Sequence, residues 1–565
     1  MQFRRWKSGL GTLAAALGLV AGIGQGQARA QVMTVTVGST GDVLTQLRGV
    51  AAGFEGAAPV LQAIDGLENG GLLKGLDRTK PIIATLDLIP QGGIPTGIPV
   101  VALFLPTTNQ DDLLNGLKTL GLNIDDKPGV EGFSHKLTVG EQNSPPIFLL
   151  ASPPEGYTIA TNLPANAEKL RAMKLEALKP SRASTVRVSL RLDRMPEQVK
   201  KLWQANTKQL NDASRQRKDG ESDEAHAARV KGIDLTEQAF DALLRDGREF
   251  SIDLNIDSKA GKVSSMIGLT AKPDTEMGNA MTTLAGRRSR FSGLFEKSAT
   301  SLIANFPIGK SMQEPIQEVI KSAREKAKKE QDPEQQKLAE QLVDSIAKTL
   351  TSSELDAFFT MDAPAQADGA KDKAGTVVLF GIGMADAKKV ESTIREGVAK
   401  FGKPDEKEKA SFDFAKGDDG TAIHRFTVEP GQMKPEEFGD PYVFAAFPEG
   451  AALVAVGGNG LPVIKQALAG LKSPSDPANT AVPPLAFDIL ATKFAQLNLP
   501  EKDKYQAAAL ETFTGNQQGK DHIRLRLVPM ELGAELTLDI DLPVLQFLGK
   551  VGAQVKAKGE LKPNP

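Results

Sequence analysis

The sequence of 565 residues contains no cysteine, few aromatic residues other than phenylalanine, and no excess of charge of one sign. Without cysteine there can be no disulfide, no thiol catalysis and no lipid-bearing N-terminal cysteine. Lys and Arg number 68 against 70 Asp and Glu, so no general attraction to nucleic acid is expected. Three tyrosines and two tryptophans also provide few rings on which bases or sugars could stack. No nucleic-acid partner is predicted.

Catalytic and cofactor motifs are absent as well. The sequence has no Gly-x-Ser-x-Gly elbow, no Gly-rich phosphate loop ending in Lys-Ser or Lys-Thr, and no His-x-x-x-His pair. We therefore predict no catalytic residue, no cofactor and no metal site. The absence of an assembled nucleophile, metal cluster or cofactor motif favours a non-enzymatic role.

The first thirty residues have the three parts of a secretory signal. A basic start is followed by an apolar stretch, Leu10–Ile23, and by an Ala-x-Ala sequence that ends at Ala30. The stretch is short and diluted by glycine, which favours cleavage before Gln31 over a membrane anchor. Arg4-Arg5 leaves open whether export is general or of the twin-arginine type. We expect a periplasmic or extracellular protein with no transmembrane segment in the mature chain.

The remaining chain is too long for one core and repeats itself. Short motifs recur in the same order, at an offset that grows along the chain. The insertions in the second copy are expected in two polar runs, 363–373 and 403–420, interpreted as exposed connections. The matching motifs are Thr85-Leu86-Asp87 with Thr360-Met361-Asp362, Val100–Phe104 with Val377–Phe380, His135–Val139 with His424–Val428, Pro154-Glu155-Gly156 with Pro448-Glu449-Gly450, and Leu163-Pro164 with Leu461-Pro462.

Periodicity within each copy predicts an α+β fold. The pattern reads as a helical lead-in, two strands, a helix, three strands, a helix, a strand, a helical segment and two strands. Short connections favour a mostly antiparallel sheet with helices on its apolar face. In 250–257, apolar and polar residues alternate, so we expect Ser251 and Asp253 to face water and Ile252 to face the core. The predicted boundaries are a signal peptide at 1–30, repeats at 31–290 and 291–555, and a disordered tail at 556–565.

Two of the four histidines, His135 and His424, occupy equivalent places in the two copies. Each precedes a basic residue and an apolar-Thr-Val sequence. They could line matching pockets or act together as metal ligands. They could also be strand residues kept from a duplication, and this interpretation is favoured because zinc needs about four converging donors.

The Val-Val-x-Leu-Phe strand, the Pro-Glu-Gly turn and the Leu-Pro helix start resemble those of uncharacterised exported proteins of environmental bacteria with paired α+β modules. The resemblance spans most of the mature chain and implies export and fold, with no residue role. Three hypotheses follow. The first is a non-enzymatic binding or structural protein of the periplasm or cell envelope, with a protein or an apolar ligand as partner. The others are a lipid carrier with a groove between the copies and a hydrolase with an atypical site.

Overall fold

The computed structural model describes most of the chain as two compact units, which meet in sequence between Asn279 and Ala280. The predicted signal peptide and residues 558–565 of the predicted tail lie outside the described residues. So does most of the predicted loop 363–373. The description covers residues 31–557 except 55–56, 70, 72, 92–93, 120, 140–145, 152–155, 164, 166, 174–183, 296–297, 331, 353, 364–374, 430–432, 474–475, 477–480, 498–501, 515–516 and 518.

The first unit alternates strands with single helices and pairs of helices. In chain order its elements are β1 (Met33–Ser39), α1 (Thr40–Ala51), α2 (Ala58–Asn69), β2 (Pro81–Gln91), β3 (Ile94–Pro106), α3 (Gln110–Thr119), β4 (Leu122–Asp125), β5 (Phe133–Val139), β6 (Ile147–Leu150), β7 (Tyr157–Thr161), α4 (Ala167–Arg171), β8 (Val186–Leu190), α5 (Glu197–Ser214), α6 (Asp223–Asp246), β9 (Gly247–Asp257), β10 (Lys262–Ala271) and α7 (Glu276–Thr282).

The second unit follows a similar order. Its elements are β11 (Thr300–Pro307), α8 (Lys310–Ala327), α9 (Pro333–Leu350), β12 (Glu354–Asp362), β13 (Val377–Gly383), α10 (Ala387–Phe401), α11 (Pro404–Lys409), β14 (Ala410–Lys416), β15 (Ala422–Thr427), α12 (Pro435–Phe438), β16 (Tyr442–Ala446), β17 (Ala451–Val456), α13 (Gly460–Gly470), β18 (Leu485–Leu490), α14 (Ala491–Phe494), α15 (Lys502–Thr512), β19 (His522–Met530), β20 (Gly533–Asp541) and α16 (Leu542–Ala557).

The strand order is the same in the two units. In the first unit it is β4-β5-β6-β7-β3-β2-β1-β8-β9-β10. In the second it is β14-β15-β16-β17-β13-β12-β11-β18-β19-β20. The registers also correspond, since Thr85 pairs with Thr34 and Ala102, while Thr360 pairs with Ser301 and Leu379.

Every described pairing of these strands is antiparallel, which confirms the predicted α+β class with antiparallel sheets. The expectation of helices on one face is wrong for the second unit. Ile464 of α13 packs in a core with Phe444, whereas Val390 of α10 packs in another with Ala445. Phe444 and Ala445 are neighbours on β16 and point to opposite faces. Helices therefore cover parts of both faces.

The structure also contains strands that the sequence patterns did not predict. β1 and β11 precede the helical lead-in of each unit, and β4 and β14 make a group of four strands where three were expected. β14 and α11 lie in the run 403–420, which was interpreted as an exposed connection. Because charged residues dominate that run, it was not recognised as a strand. Polar and apolar residues nevertheless alternate in it, from Ser411 to Phe414, as is typical of an edge strand.

Strand β9 is buried on the side opposite to the one expected. Ser251 is 9% and Asp253 4% exposed, while Ile252 is 42% exposed. Asp253 is satisfied in the interior, because its Oδ1 accepts a hydrogen bond of 2.9 Å from Ser184 Oγ and lies 3.5 Å from Arg187. A paired carboxylate can be buried at acceptable cost, so alternation alone did not identify the covered face.

This inversion gives a direct test by mutation. Asp253→Ala should lower the free energy of unfolding by about 1–3 kcal/mol, because Ser184 and Arg187 would lose a buried partner. Ile252→Thr should change it by less than about 0.5 kcal/mol, since the side chain is already exposed. Urea unfolding followed by circular dichroism measures both. The opposite ranking would show that the apolar side of β9 is the packed one.

Candidate functional site

His424 is the centre of a polar cluster that links β14, β15 and α10. It lies on β15 and is 1% exposed. Its Nδ1 accepts a hydrogen bond of 3.1 Å from the backbone N–H of Asp413, so the proton of a neutral imidazole must be on Nε2. Nε2 lies 3.1 Å from Glu391 Oε1 and donates to it. The cluster thus fixes both the orientation and the tautomer of His424.

Asp413 joins this cluster through an irregularity in β14. The β14–β15 register shifts between Ser411 and Ala415, and Asp413 has a positive φ of 54°, which is uncommon outside glycine. Its carboxylate receives two hydrogen bonds from Arg395 on α10, of 2.7 and 2.8 Å. The guanidinium of Arg395 also lies 4.9 Å from the centre of the Phe412 ring. The bulge is therefore held by one backbone bond and one bidentate ion pair.

Glu391 links α10 to the imidazole. Besides His424 it contacts Lys388 Nζ at 2.9 Å and Arg395 at 3.4 Å. Burial works to raise the pKa of Glu391, but the Lys388 ammonium and His424 outweigh it, so the pKa is lowered and the group is a carboxylate at neutral pH. Burial lowers the pKa of His424 against the opposing pull of Glu391, which keeps the imidazole neutral.

Glu391, Asp413 and His424 also have the composition of a metal site, with ligand atoms within 4.8 Å of one another. Their donor atoms are already engaged, however. Asp413 is held by Arg395, Glu391 is bound by Lys388, and His424 Nδ1 accepts a backbone N–H. A zinc ion would need a fourth donor and the displacement of Arg395. The arrangement fits an internal ion-pair cluster better than a metal centre.

The equivalent place in the first unit has different chemistry. His135 is half-buried on β5, with Nδ1 2.9 Å from Ser134 Oγ. His135 pairs with Leu149 and His424 with Ala445, so the two histidines occupy the same register position. The helices above the two histidines differ at one position. On α10 the buried Val390 is followed by Glu391. On α3 the buried Leu113 is followed by Leu114, which packs in an apolar cluster. The two histidines lie at matching positions in surroundings that do not match.

A further histidine, His522, has a feature that the sequence patterns missed. Its Nδ1 lies 3.0 and 3.2 Å from the two oxygens of Asp488, which is 1% exposed. With Nδ1–H donated to that carboxylate, Nε2 is left as an acceptor. Arg524 also lies 3.3 Å from Asp488 Oδ1. Asp488 and His522 are 34 residues apart, and only the pairing of β18 with β19 brings them together.

One face of the sheet in the second unit carries an uncovered row of apolar side chains. The row contains six residues, one from each of six neighbouring strands. Each residue pairs directly with the next one across the sheet, so all six lie on the same face. Phe380, at one end of the row, is 48% exposed, and the other five are half-buried. In the described residues, none of the six belongs to a packed core cluster. We call this the second apolar row: Phe380, Phe359, Leu302, Phe487, Leu525 and Leu538.

The first unit has an apolar row at the same register positions. Ile252 and Ile267 are each 42% exposed, and the other members are half-buried. Two hydrophobic clusters that involve helices lie beside the row. In one, Leu190 and Phe250 pack with α5 and α6. In the other, Leu103, at one end of the row, packs with Leu114 of α3. We call this the first apolar row: Leu103, Ala84, Val35, Val188, Ile252 and Ile267.

Comparisons with protein-family models, with curated proteins and with solved structures each found no match. Within the described part of the chain, no helix combines the length and the apolar character that crossing a bilayer requires.

The His424 cluster predicts a particular dependence of stability on pH. Because the folded-state pKa of His424 is below its ordinary value of 6.5, the unfolded chain binds a proton first as the pH falls. The stabilisation is thus present above about pH 6.5 and is lost as the pH falls toward the folded-state pKa, with a limiting slope of about 1.4 kcal/mol per pH unit.

His424→Gln should therefore flatten the decline in the free energy of unfolding between about pH 7.5 and about pH 5.5. Urea unfolding at several pH values measures this change. His135→Gln is the matched control, because the imidazole of His135 bonds to Ser134 instead of a carboxylate. Equal slopes for the wild type and His424→Gln would show that the buried imidazole is not coupled to folding.

Proposed function

We propose that this chain is an exported, non-enzymatic binding protein that holds elongated apolar ligands, such as acyl chains, on the open sheet face of each unit. The observation that carries this proposal is the pair of apolar rows, at the same register and part-exposed in both units. Export rests on the signal-like first thirty residues, with cleavage between Ala30 and Gln31.

The charge pattern of the face supports an apolar occupant. In the second unit the rows beside the apolar row, including Leu527 and Ile523, contain no ionisable side chain. The same holds in the first unit, where the neighbouring rows include Leu254 and Phe250. A protein surface would present many polar atoms to such a face, since typical interfaces are only slightly more than half apolar. The hydrocarbon part of an acyl ligand has no polar groups, so its burial against this face leaves none without a hydrogen-bond partner.

The dimensions of the face fit the same occupant. Six strands at a spacing of about 4.8 Å make a row about 24 Å long and one side chain wide. This is close to the length of an extended palmitoyl or stearoyl chain. Each buried methylene group contributes about 0.8 kcal/mol, so a chain lying along the row gains affinity in proportion to its length. Flanking helices would limit the width of the ligand.

We infer further that the two units descend from one duplicated module. Three observations support the inference: the ten-strand order is shared, most of the described helices fall between the same strands, and the cross-strand registers agree at Thr85 and Thr360. The polar clusters differ between the units, whereas the apolar row is common to both. A property kept in two copies is the best candidate for the shared function, so we assign binding to the rows.

Acyl binding is testable by placing a charge in each row. Phe380→Glu should reduce palmitate binding to the second unit at least tenfold, about 1.4 kcal/mol, and Ile252→Glu should do the same for the first. Native mass spectrometry should count two palmitates on the wild type and one on each variant. Val528→Glu is the control, because Val528 is an exposed apolar residue of β19 that points to the opposite face.

Two results would contradict the proposal. One is palmitate binding that neither row variant weakens. The other is a wild-type dimer that Phe380→Glu dissociates without any loss of palmitate, which would make the face an interface between copies of the chain.

A second candidate function, a hydrolase with an atypical site, is favoured by Asp488 and His522. A buried carboxylate that orients an imidazole, with Nε2 left as an acceptor, is the arrangement of a general base. Ser301, the cross-strand neighbour of Asp488, is fully buried, and its Oγ lies out of reach of substrate. The dyad would therefore have to activate water.

The hydrolase candidate is tested by turnover of ester, phosphoester, peptide and glycoside substrates. For a binding protein, the wild type and His522→Gln should give equal rates, both at the level of buffer. Turnover by the wild type that falls at least a hundredfold in His522→Gln, as expected on losing a general base, would replace the binding proposal with the hydrolase.

A further inference from the structure

Arg425 is an arginine without a carboxylate partner in the described structure. It lies on β15, and its guanidinium carbon is 4.1 Å from the centre of the Phe414 ring and 4.9 Å from that of Tyr442. Its Nε is buried and has no hydrogen-bond partner among the described residues. An unpaired buried N–H on a charged group is costly, which suggests that an acceptor from outside the chain completes it.

The surroundings of Arg425 limit how such an acceptor can approach. Phe414 is on β14 and Tyr442 on β16, the strands on either side of β15. The two rings therefore lie on either side of Arg425 across the sheet, both within the range of cation–π attraction. An acceptor that reaches this place meets the N–H groups of the guanidinium, which form a planar fork. That fork matches a group with two oxygens in one plane.

We propose that Arg425, held between Phe414 and Tyr442, is the binding site for an oxyanion, either a carboxylate or a phosphate. The site is on the opposite sheet face from the second apolar row, since Arg425 alternates with His424 along β15. It therefore stands independently of the acyl-binding proposal. Half-burial of Arg425 and exposure of Phe414 leave the edge of the sheet accessible to a small anion.

The first unit provides a matched comparison. Lys136 on β5 pairs with Phe148, as Arg425 pairs with Phe444, so the two residues occupy the same register position. Lys136 presents a point charge without a planar fork. Oxyanion binding of this kind is therefore expected in the second unit and not at Lys136.

Isothermal titration calorimetry of the mature chain with sodium phosphate and with sodium acetate tests the site, at constant ionic strength set by chloride. We expect one saturable site in the wild type for at least one anion, and the responding anion identifies the ligand as phosphate or carboxylate. Arg425→Met keeps the apolar stem and should lose the site, with affinity falling at least tenfold. Lys136→Met should bind as the wild type does.

Two further variants separate geometry from charge. Arg425→Lys keeps the charge without the fork, and a loss of at least tenfold in affinity is expected. Phe414→Leu keeps the arginine but removes one flanking ring, and a smaller loss is expected. If Arg425→Met does not fold, as judged by circular dichroism, Arg425→Lys carries the test. The proposal is overturned if neither anion binds the wild type, or if Arg425→Met and Arg425→Lys bind as tightly as the wild type.

Discussion

The antiparallel ladder is the constraint on which the rest of this structure depends. Because each strand pairs at a fixed register, residues far apart in sequence are placed in straight rows across the sheet, and alternate residues fall on opposite faces. One such row in the second unit carries Phe359, Leu302 and Phe487, while the row beside it on the other face carries Thr360, Ser301 and Asp488. The apolar row and the buried polar residues of the second unit therefore lie on opposite faces of the same paired strands.

The distribution of burial between these sides departs from the usual pattern of covered apolar and exposed polar residues. Polar residues such as Asp253 and Asp488 are covered, and apolar residues such as Ile252 and Phe380 are exposed. Buried carboxylates are tolerated because each has close partners, Ser184 and Arg187 in one case and His522 in the other. Among the described residues, nothing comparable covers the exposed apolar side chains, and this is why we assign ligand binding to the open face.

The polar clusters show how two similar frameworks can acquire different chemistry. His135 and His424 share a register position, yet only His424 meets a glutamate and a bulged aspartate. The difference comes from Glu391 on the helix above the strand and from the positive φ of Asp413. Residues outside β15 thus decide whether the histidine at this register position joins a buried ion-pair cluster.

Local patterns in the sequence were sufficient to predict the α+β class, the antiparallel sheets, the strands at Val100 and Val377, and the matching positions of His135 and His424. These features depend on the periodicity of neighbouring residues or on motif order, which a single chain displays directly. The pairing of Asp488 with His522, the rings that flank Arg425 and the covered side of β9 depend on strands brought together from distant parts of the chain. Alternation identifies two faces of a strand, but only packing decides which face is covered, because a paired carboxylate can be buried and an apolar side chain can be left open.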